Sequence, residues 1–320
     1  MGRSERLPRF VVRAQAASSS AQDVAGLEVI DARTQLIASL HQHRNTDGGW
    51  PYYAGRQSRL EPTCWALLAT GSALTSTPLG VWQRADGFLV EPSTGDVNIA
   101  FNALAVLCAN GVSGASSAMA NTVIAALIAS RGAAVAQHPR ARQDSSLQAW
   151  SWTPGAFSWV EPTAWALLAL KRWATPSAVV SQRIATGELV MRDRACPGGG
   201  WNYGNAEVYG KALPGHVPPT AIGILAMQDR LTDRVVVDAL AFVERQALLE
   251  GSTTALALSQ LAVAAAGRPS SRLVEALVAH APHAESFGNV ATMAMAAHAL
   301  ACAESGAPSS AFSLGKARGR

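Results

Sequence analysis

Two kinds of apolar pattern alternate along the chain. Five stretches carry apolar residues at intervals of three and four with polar residues between them: AGLEVIDARTQLIASLHQH, SSAMANTVIAALIASRG, SAVVSQRIATGELVMR, TDRVVVDALAFVERQALLE and SRLVEALVAHA. That spacing predicts helices with one wet face. Between them stand stretches that are apolar on nearly every side, such as LEPTCWALLAT (Leu60–Thr70) and VEPTAWALLAL (Val160–Leu170). A helix of that kind is buried.

The two apolar stretches are near copies one hundred residues apart, and more copies of the unit can be found. Each has a loop rich in glycine and aromatics, a helix start and an Ala/Leu run. The clearest are Asp47–Thr70, Thr153–Leu170 and Gly198–Met227. Asp86–Leu107 is a fair copy, and the stretches beginning at Gly251 and Phe287 have lost most of the loop. A repeat of this length stacks one supersecondary unit on the next. Six amphipathic-plus-buried pairs predict an all-α protein, an α/α toroid of six helical hairpins and about twelve helices, with an outer and an inner layer. A closed toroid hides the end faces that an open solenoid has to cap. Pro62, Pro162 and Pro219 suit the first turn of the inner helices, where the missing N–H costs nothing. In such a ring the inner helices start at one mouth, and their loops converge on the opening of a central cavity. The expected organisation is a flexible basic segment over 1–26, a toroid domain with six repeats over 27–302 and a flexible basic tail over 303–320.

Composition fits a globular chain with a large core: 49% of residues are hydrophobic and 15% charged. The net charge of +4 comes with no long Lys/Arg run between the two ends, so no nucleic acid is expected as a partner. No apolar run reaches membrane-spanning length; a peripheral membrane contact and an organelle-type presequence stay open. Cys64, Cys108, Cys196 and Cys302 lie far apart and form no CxxC, which reads as a reducing, cytoplasmic setting without disulfides. Asp193, Cys196, Glu207 and His216 cluster around one loop, but their spacing matches no zinc pattern, and neither metal nor cofactor is expected.

DGGW at Asp47–Trp50 resembles a relaxed form of the QW motif of squalene–hopene and oxidosqualene cyclases, and TAWALLAL at Thr163–Leu170 resembles their inner-helix text. The same stretch is similar to the repeat of protein prenyltransferase β subunits. The likeness covers roughly residues 27–302, in pattern more than residue by residue. It implies an α/α toroid acting on an isoprenoid or other apolar small molecule in a central cavity. Terpenoid cyclases of this type protonate their substrate with a DxDD motif, which this chain lacks. Aligned on the following Thr-Ala, Glu161 stands where the family's acid stands; Glu61 has the same place in the first repeat, and DVN at Asp96–Asn98 is a partial echo. The zinc sets of prenyltransferases and LanC-type cyclases are also missing.

Glu161, Glu61 and Asp96 are therefore the candidate catalytic residues. The other explanation of the glutamates is a favourable charge at a helix N-terminus, worth about 0.3–1 kcal/mol. Tyr52, Tyr53, Trp65, Trp159, Trp165, Tyr203 and His216 are the candidate substrate-binding residues, because aromatic faces suit greasy ligands and positive charge. Trp50 and Trp201 are expected to clamp adjacent helices instead. The alternative function is a non-catalytic toroid that binds a lipid, a peptide or an unidentified protein partner.

Overall fold

Residues 10–113, 117–137 and 142–315 are described by a computed structural model, and side chains from residue 26 onward, apart from those of residues 76 and 113. Among them lie eleven α-helices: α1 (Phe10–Gln42), α2 (Leu60–Thr70), α3 (Ile99–Ser113), α4 (Ala118–Ala129), α5 (Val160–Trp173), α6 (Ala178–Asp193), α7 (Val217–Ala226), α8 (Arg234–Glu250), α9 (Thr253–Ala265), α10 (Ser271–Phe287) and α11 (Val290–Ser305). A short hairpin, β1 (Glu207–Val208) and β2 (Lys211–Ala212), stands in the loop before α7.

The all-apolar stretches became α2, α3, α5, α7, α9 and α11, and their neighbour contacts run in a cycle. α2 packs on α3, α3 on α5, α5 on α7, α7 on α9 and α9 on α11, and α11 returns to α2. The amphipathic stretches became α1, α4, α6, α8 and α10, each laid against one or two helices of the cycle. Burial follows the text. Val160 and every residue from Pro162 to Leu170 are buried in α5, whereas α10 buries Leu273, Leu277, Ala281 and Ala284 on one stripe.

One amphipathic helix fewer forms than a strict six-fold repeat requires. Between α2 and α3 the chain makes two 3-10 turns, Leu74–Ser76 and Pro78–Gly80, and then a long loop. The stretch from Gly71 to Asn98 carries two prolines and four glycines, too many breaks for a helix. Leu79, Trp82 and Leu89 from this loop still fill the core beside α3.

The helix α1 starts at Phe10, inside the segment expected to be flexible. Packing also continues past residue 302: Ser309, Ala311 and Phe312 are buried. Phe312 is fully enclosed by Trp65 of α2 (ring centroids 5.4 Å apart), Trp165 of α5 (5.6 Å) and His298 of α11 (5.7 Å). Gln228 ties the strap down by donating to the Phe312 carbonyl at 2.8 Å and accepting from the Leu314 N–H at 3.0 Å. Residues 316–320 of the expected tail and residues 1–9 lie outside the described residues.

Candidate functional site at the start of the buried helices

The recurring Thr of EPT and PPT is the key to the local fold. Its hydroxyl does not cap its own helix. It reaches back to a loop tryptophan and bonds the backbone of that residue on both sides. Thr63 Oγ1 accepts from Trp50 N at 2.9 Å and lies 3.3 Å from its carbonyl; Thr163 treats Trp150 in the same way at 3.3 and 3.2 Å; Thr220 accepts from Trp201 N at 2.9 Å and lies 3.0 Å from its carbonyl and 2.6 Å from that of His216. The second repeat makes the same clamp with an amide: Asn102 accepts from Leu89 N at 2.7 Å and donates to Leu89 O at 2.9 Å. Each tryptophan then donates its indole N–H to the last turns of the preceding amphipathic helix. Trp50 reaches Leu40 O at 2.7 Å, Trp150 reaches Leu127 O at 2.9 Å, and Trp201 reaches Met191 O at 2.6 Å. One loop residue thus joins the end of an amphipathic helix to the start of a buried one. Trp50 and Trp201 are the clamps the sequence suggested, and Trp150 is a third.

The clamp frees the residue two places before each Thr. In α2 and α5 that residue is Glu61 or Glu161, and in α7 it is Pro218. Trp65 and Trp165 follow the glutamates by one helical turn, on the same face. Their rings meet edge-to-face at 6.1 Å, although α2 and α5 are separated in the cycle by α3. Glu61 and Glu161 stand one turn nearer the helix starts, and the charge of Glu61 acts on Glu161.

Both carboxyls are held well above their usual range, to about 7. Burial is the main cause in each. The hydrogen bond from the Tyr52 hydroxyl pulls Glu61 down and the charge of Glu91 pushes it up. Glu161 is raised further by Glu61 and lowered by a hydrogen bond with Trp165. Two opposing effects were in play here: a helix N-terminus lowers a carboxyl pKa and burial raises it. Burial wins at both. Each glutamate keeps part of its surface open to solvent.

Glu91 is the residue that motif reading missed. It is 4% exposed. Its Oε2 accepts from Arg59 Nε at 2.7 Å and from the Leu60 N–H at 3.3 Å, so it caps α2 from outside. The helix has no side-chain cap of its own. The VEP of Val90–Pro92 repeats the VEP of Val160–Pro162 and was a usable signal. It is obscured because α3 begins only at Ile99.

The remaining candidates divide. Tyr52 is half-buried against Glu61, and burial together with that neighbour raises its hydroxyl pKa. Tyr203, 45% exposed, stands near Glu161 and lies against His216, ring centroids 5.8 Å apart. Trp159 stacks on Phe157 at 4.8 Å and packs against Gly204. Trp65 and Trp165 are core residues under the glutamates. Tyr53 is 51% exposed and accepts from Asn289 Nδ2 at 3.2 Å. His216 is exposed at the start of α7. Asp96 is an exposed loop residue whose backbone carbonyl accepts from Glu91 N–H, and it stands apart from the glutamate pair. Asp193 is engaged by Arg194 and by the Asp144 N–H. Among the described residues no three His, Cys, Asp or Glu side chains are grouped to hold a metal ion.

An open recess of about 410 Å³ borders this region, lined by Tyr52, Gly55, Arg56, Gln57, Arg59 and Ser93. It shares Gly55, Arg56 and Gln57 with a second, more open one of about 600 Å³. Among the described residues no helix is long and apolar enough to cross a membrane. Compared with family models and with curated proteins, the chain matches none.

Proposed function

We propose that the buried cycle and its outer helices form an α/α toroid of the terpenoid cyclase and prenyltransferase type. In this reading Glu61 and Glu161 are the acid–base element of an enzyme acting on an isoprenoid or other apolar substrate. The pair itself carries the reading. Two carboxyls at the same place in two repeats act on each other, one of them bonded to Tyr52 of the recess wall, and burial raises each to about 7. Such a carboxyl is protonated on about half the molecules at neutral pH, so it can both give and accept a proton. Glu161 is the first candidate for the donor, and Glu61, bonded to the Tyr52 hydroxyl, for its partner. An acid of this strength suits an epoxide, an allylic diphosphate or an enol ether, not an unactivated alkene. Tyr52, Trp165 and Tyr203 flank the pair with faces that stabilise positive charge. The reading sets the protein in the cytoplasm, supported by four free cysteines.

Phe312 favours a second reading. It packs against both Trp65 and Trp165, one turn from the glutamates, and so occupies space that a deep central cavity would need. That suits a non-catalytic toroid that holds a lipid, peptide or protein segment at its mouth.

The deciding experiment incubates purified protein with farnesyl diphosphate, geranylgeranyl diphosphate, squalene and oxidosqualene, with and without magnesium or zinc. Glu161→Gln and Glu61→Gln run alongside, and products are read by mass spectrometry. A new product lost in either variant supports the enzyme. Stabilisation by a lipid that both variants keep, without turnover, supports the binding toroid. No response to any of them ends the isoprenoid reading.

A further inference from the structure

The strap after α11 is held in the way a groove holds a peptide. Four of its residues meet four different parts of the cycle. The Ser309 hydroxyl donates to His298 Nε2 at 2.8 Å. Ala311 lies against Gly111 in the last turn of α3; a Cβ on residue 111 would stand 2.5 Å from Ala311 Cβ, so only glycine leaves room. Phe312 is the anchor, enclosed by Trp65, Trp165 and His298. The Gln228 amide serves two main-chain groups at once, the Phe312 carbonyl and the Leu314 N–H. Arg172, near the end of α5, donates to the Ser310 carbonyl at 3.3 Å. Among the described residues, no main-chain to main-chain bond ties residues 309–315 to the rest of the molecule; those they make stay within the strap's own turn. One buried aromatic anchor, with side chains reading the backbone beside it, is the arrangement of a peptide site.

We propose that this end of the cycle is a peptide-binding site whose other occupant is the strap of a second copy of this chain, so that two molecules exchange Ser309–Leu314. Simple release is unfavourable, because it uncovers the apolar faces of Trp65 and Trp165 with nothing to replace Phe312. Exchange avoids that loss. Each site regains the same anchor, the same amide and the same fit at Gly111. Closed monomer and exchanged dimer then differ only at the hinge and in association, and concentration sets their balance. The hinge is Gly306, Ala307 and Pro308. Gly306 ends α11 in the left-handed conformation, and Ala307 is biased toward extended backbone by the proline after it. Three extended residues reach about 10 Å. The two molecules therefore meet at the ends that hold their straps, about a two-fold axis.

Nothing in this exchange depends on turnover. The full chain is examined by size exclusion with light scattering at low micromolar and near-millimolar concentration, before and after refolding from urea. A dimer that grows with concentration is expected. Two variants identify the exchange. Phe312→Ala spoils the strap and keeps the site, while Gly111→Leu blocks the site and keeps the strap. Refolded together, they should form a heterodimer that melts at least about 4 °C above Phe312→Ala alone. Ser309→Cys serves as a second test that keeps Phe312. It places a thiol beside Cys302, whose Sγ lies 4.0 Å from the same His298 nitrogen. Oxidation by glutathione disulfide should link two chains in the dimer fraction and close within one chain in the monomer, as a non-reducing gel will show. A monomer under every condition, a mixture that melts no higher than its parts, or a dimer whose disulfide closes within one chain overturns the proposal.

Discussion

Replacing Thr220 by valine tests the clamp that organises the helix starts. Valine keeps the shape of threonine and removes the hydroxyl. That hydroxyl accepts from the buried Trp201 N–H at 2.9 Å. The hydroxyl also donates to the His216 carbonyl at 2.6 Å, but neither carbonyl depends on it, since the His216 N–H donates to Trp201 O at 2.8 Å and the Thr220 N–H to His216 O at 3.2 Å. The loss is therefore one buried, unpaired N–H, which costs about 1–3 kcal/mol. A value near 2 kcal/mol corresponds to a fall in Tm of roughly 4 °C for a chain of this size. Thr63→Val should match it, because Trp50 N is also 2.9 Å from its threonine, and Thr163→Val should cost less, at 3.3 Å. Thr220→Ser keeps the hydroxyl and is the control. Urea unfolding followed by tryptophan fluorescence measures all four. If the valine and serine variants of Thr220 agree to within about 0.5 kcal/mol, the hydroxyl is not what holds the loop, and the account of the repeated threonine is wrong.

Four further outcomes are expected. Glu161 has a folded pKa raised to about 7 from 4.5, so its burial is tolerated at low pH and opposes folding increasingly as pH rises through 4.5 to 7. Glu161→Gln should therefore be more stable than the parent at pH 8, with the gap closing by pH 5, as urea midpoints will show. His298 behaves oppositely: its folded pKa is lowered to about 4 from 6.5, so stability is full above 6.5 and declines as pH falls toward 4. Glutamine at 298 should flatten that decline in the same titration. Phe312→Ala should cost about 3–5 kcal/mol in chemical denaturation as a large buried side chain lost to a cavity. Lys171→Met leaves Glu188, its buried partner at 2.8 Å, with only the half-exposed Arg192 and Arg230, and should cost up to about 3–5 kcal/mol by the same measurement.

Periodicity made the helices legible, because a burial pattern is written in the spacing of apolar residues. α5 and α10 look different in sequence and are different in burial. The loop after α2 was harder, since its prolines and glycines mark breaks without saying that a whole outer helix is replaced. The glutamate pair was visible as a repeated letter, whereas its environment was not. Whether burial or the helix dipole sets the protonation of Glu61 depends on neighbours such as Tyr52 and Glu91, and only the folded chain brings those together. The role of Thr163 was hidden for a similar reason: its hydroxyl bonds a residue thirteen positions away, and a local motif reads as a helix start. The strap at Phe312 carries no periodic signal at all.

The joint between α11 and α2 bears on how the molecule folds. His298 Nδ1–H donates to the Leu68 carbonyl at 3.2 Å, and its Nε2 therefore accepts from the Ser309 hydroxyl at 2.8 Å. The first of these contacts closes a loop of 230 residues. The entropy of bringing ends that far apart together is about 5 kcal/mol, and none of the other neighbour steps around the cycle spans so much chain. Each earlier hairpin can form from local contacts as it is synthesised, but the last seam has to wait for both partners. Slow closure leaves the apolar edges of α2 and α11 uncovered in the meantime, which makes this seam the place where a chaperone would act and where misassembly between two chains would begin.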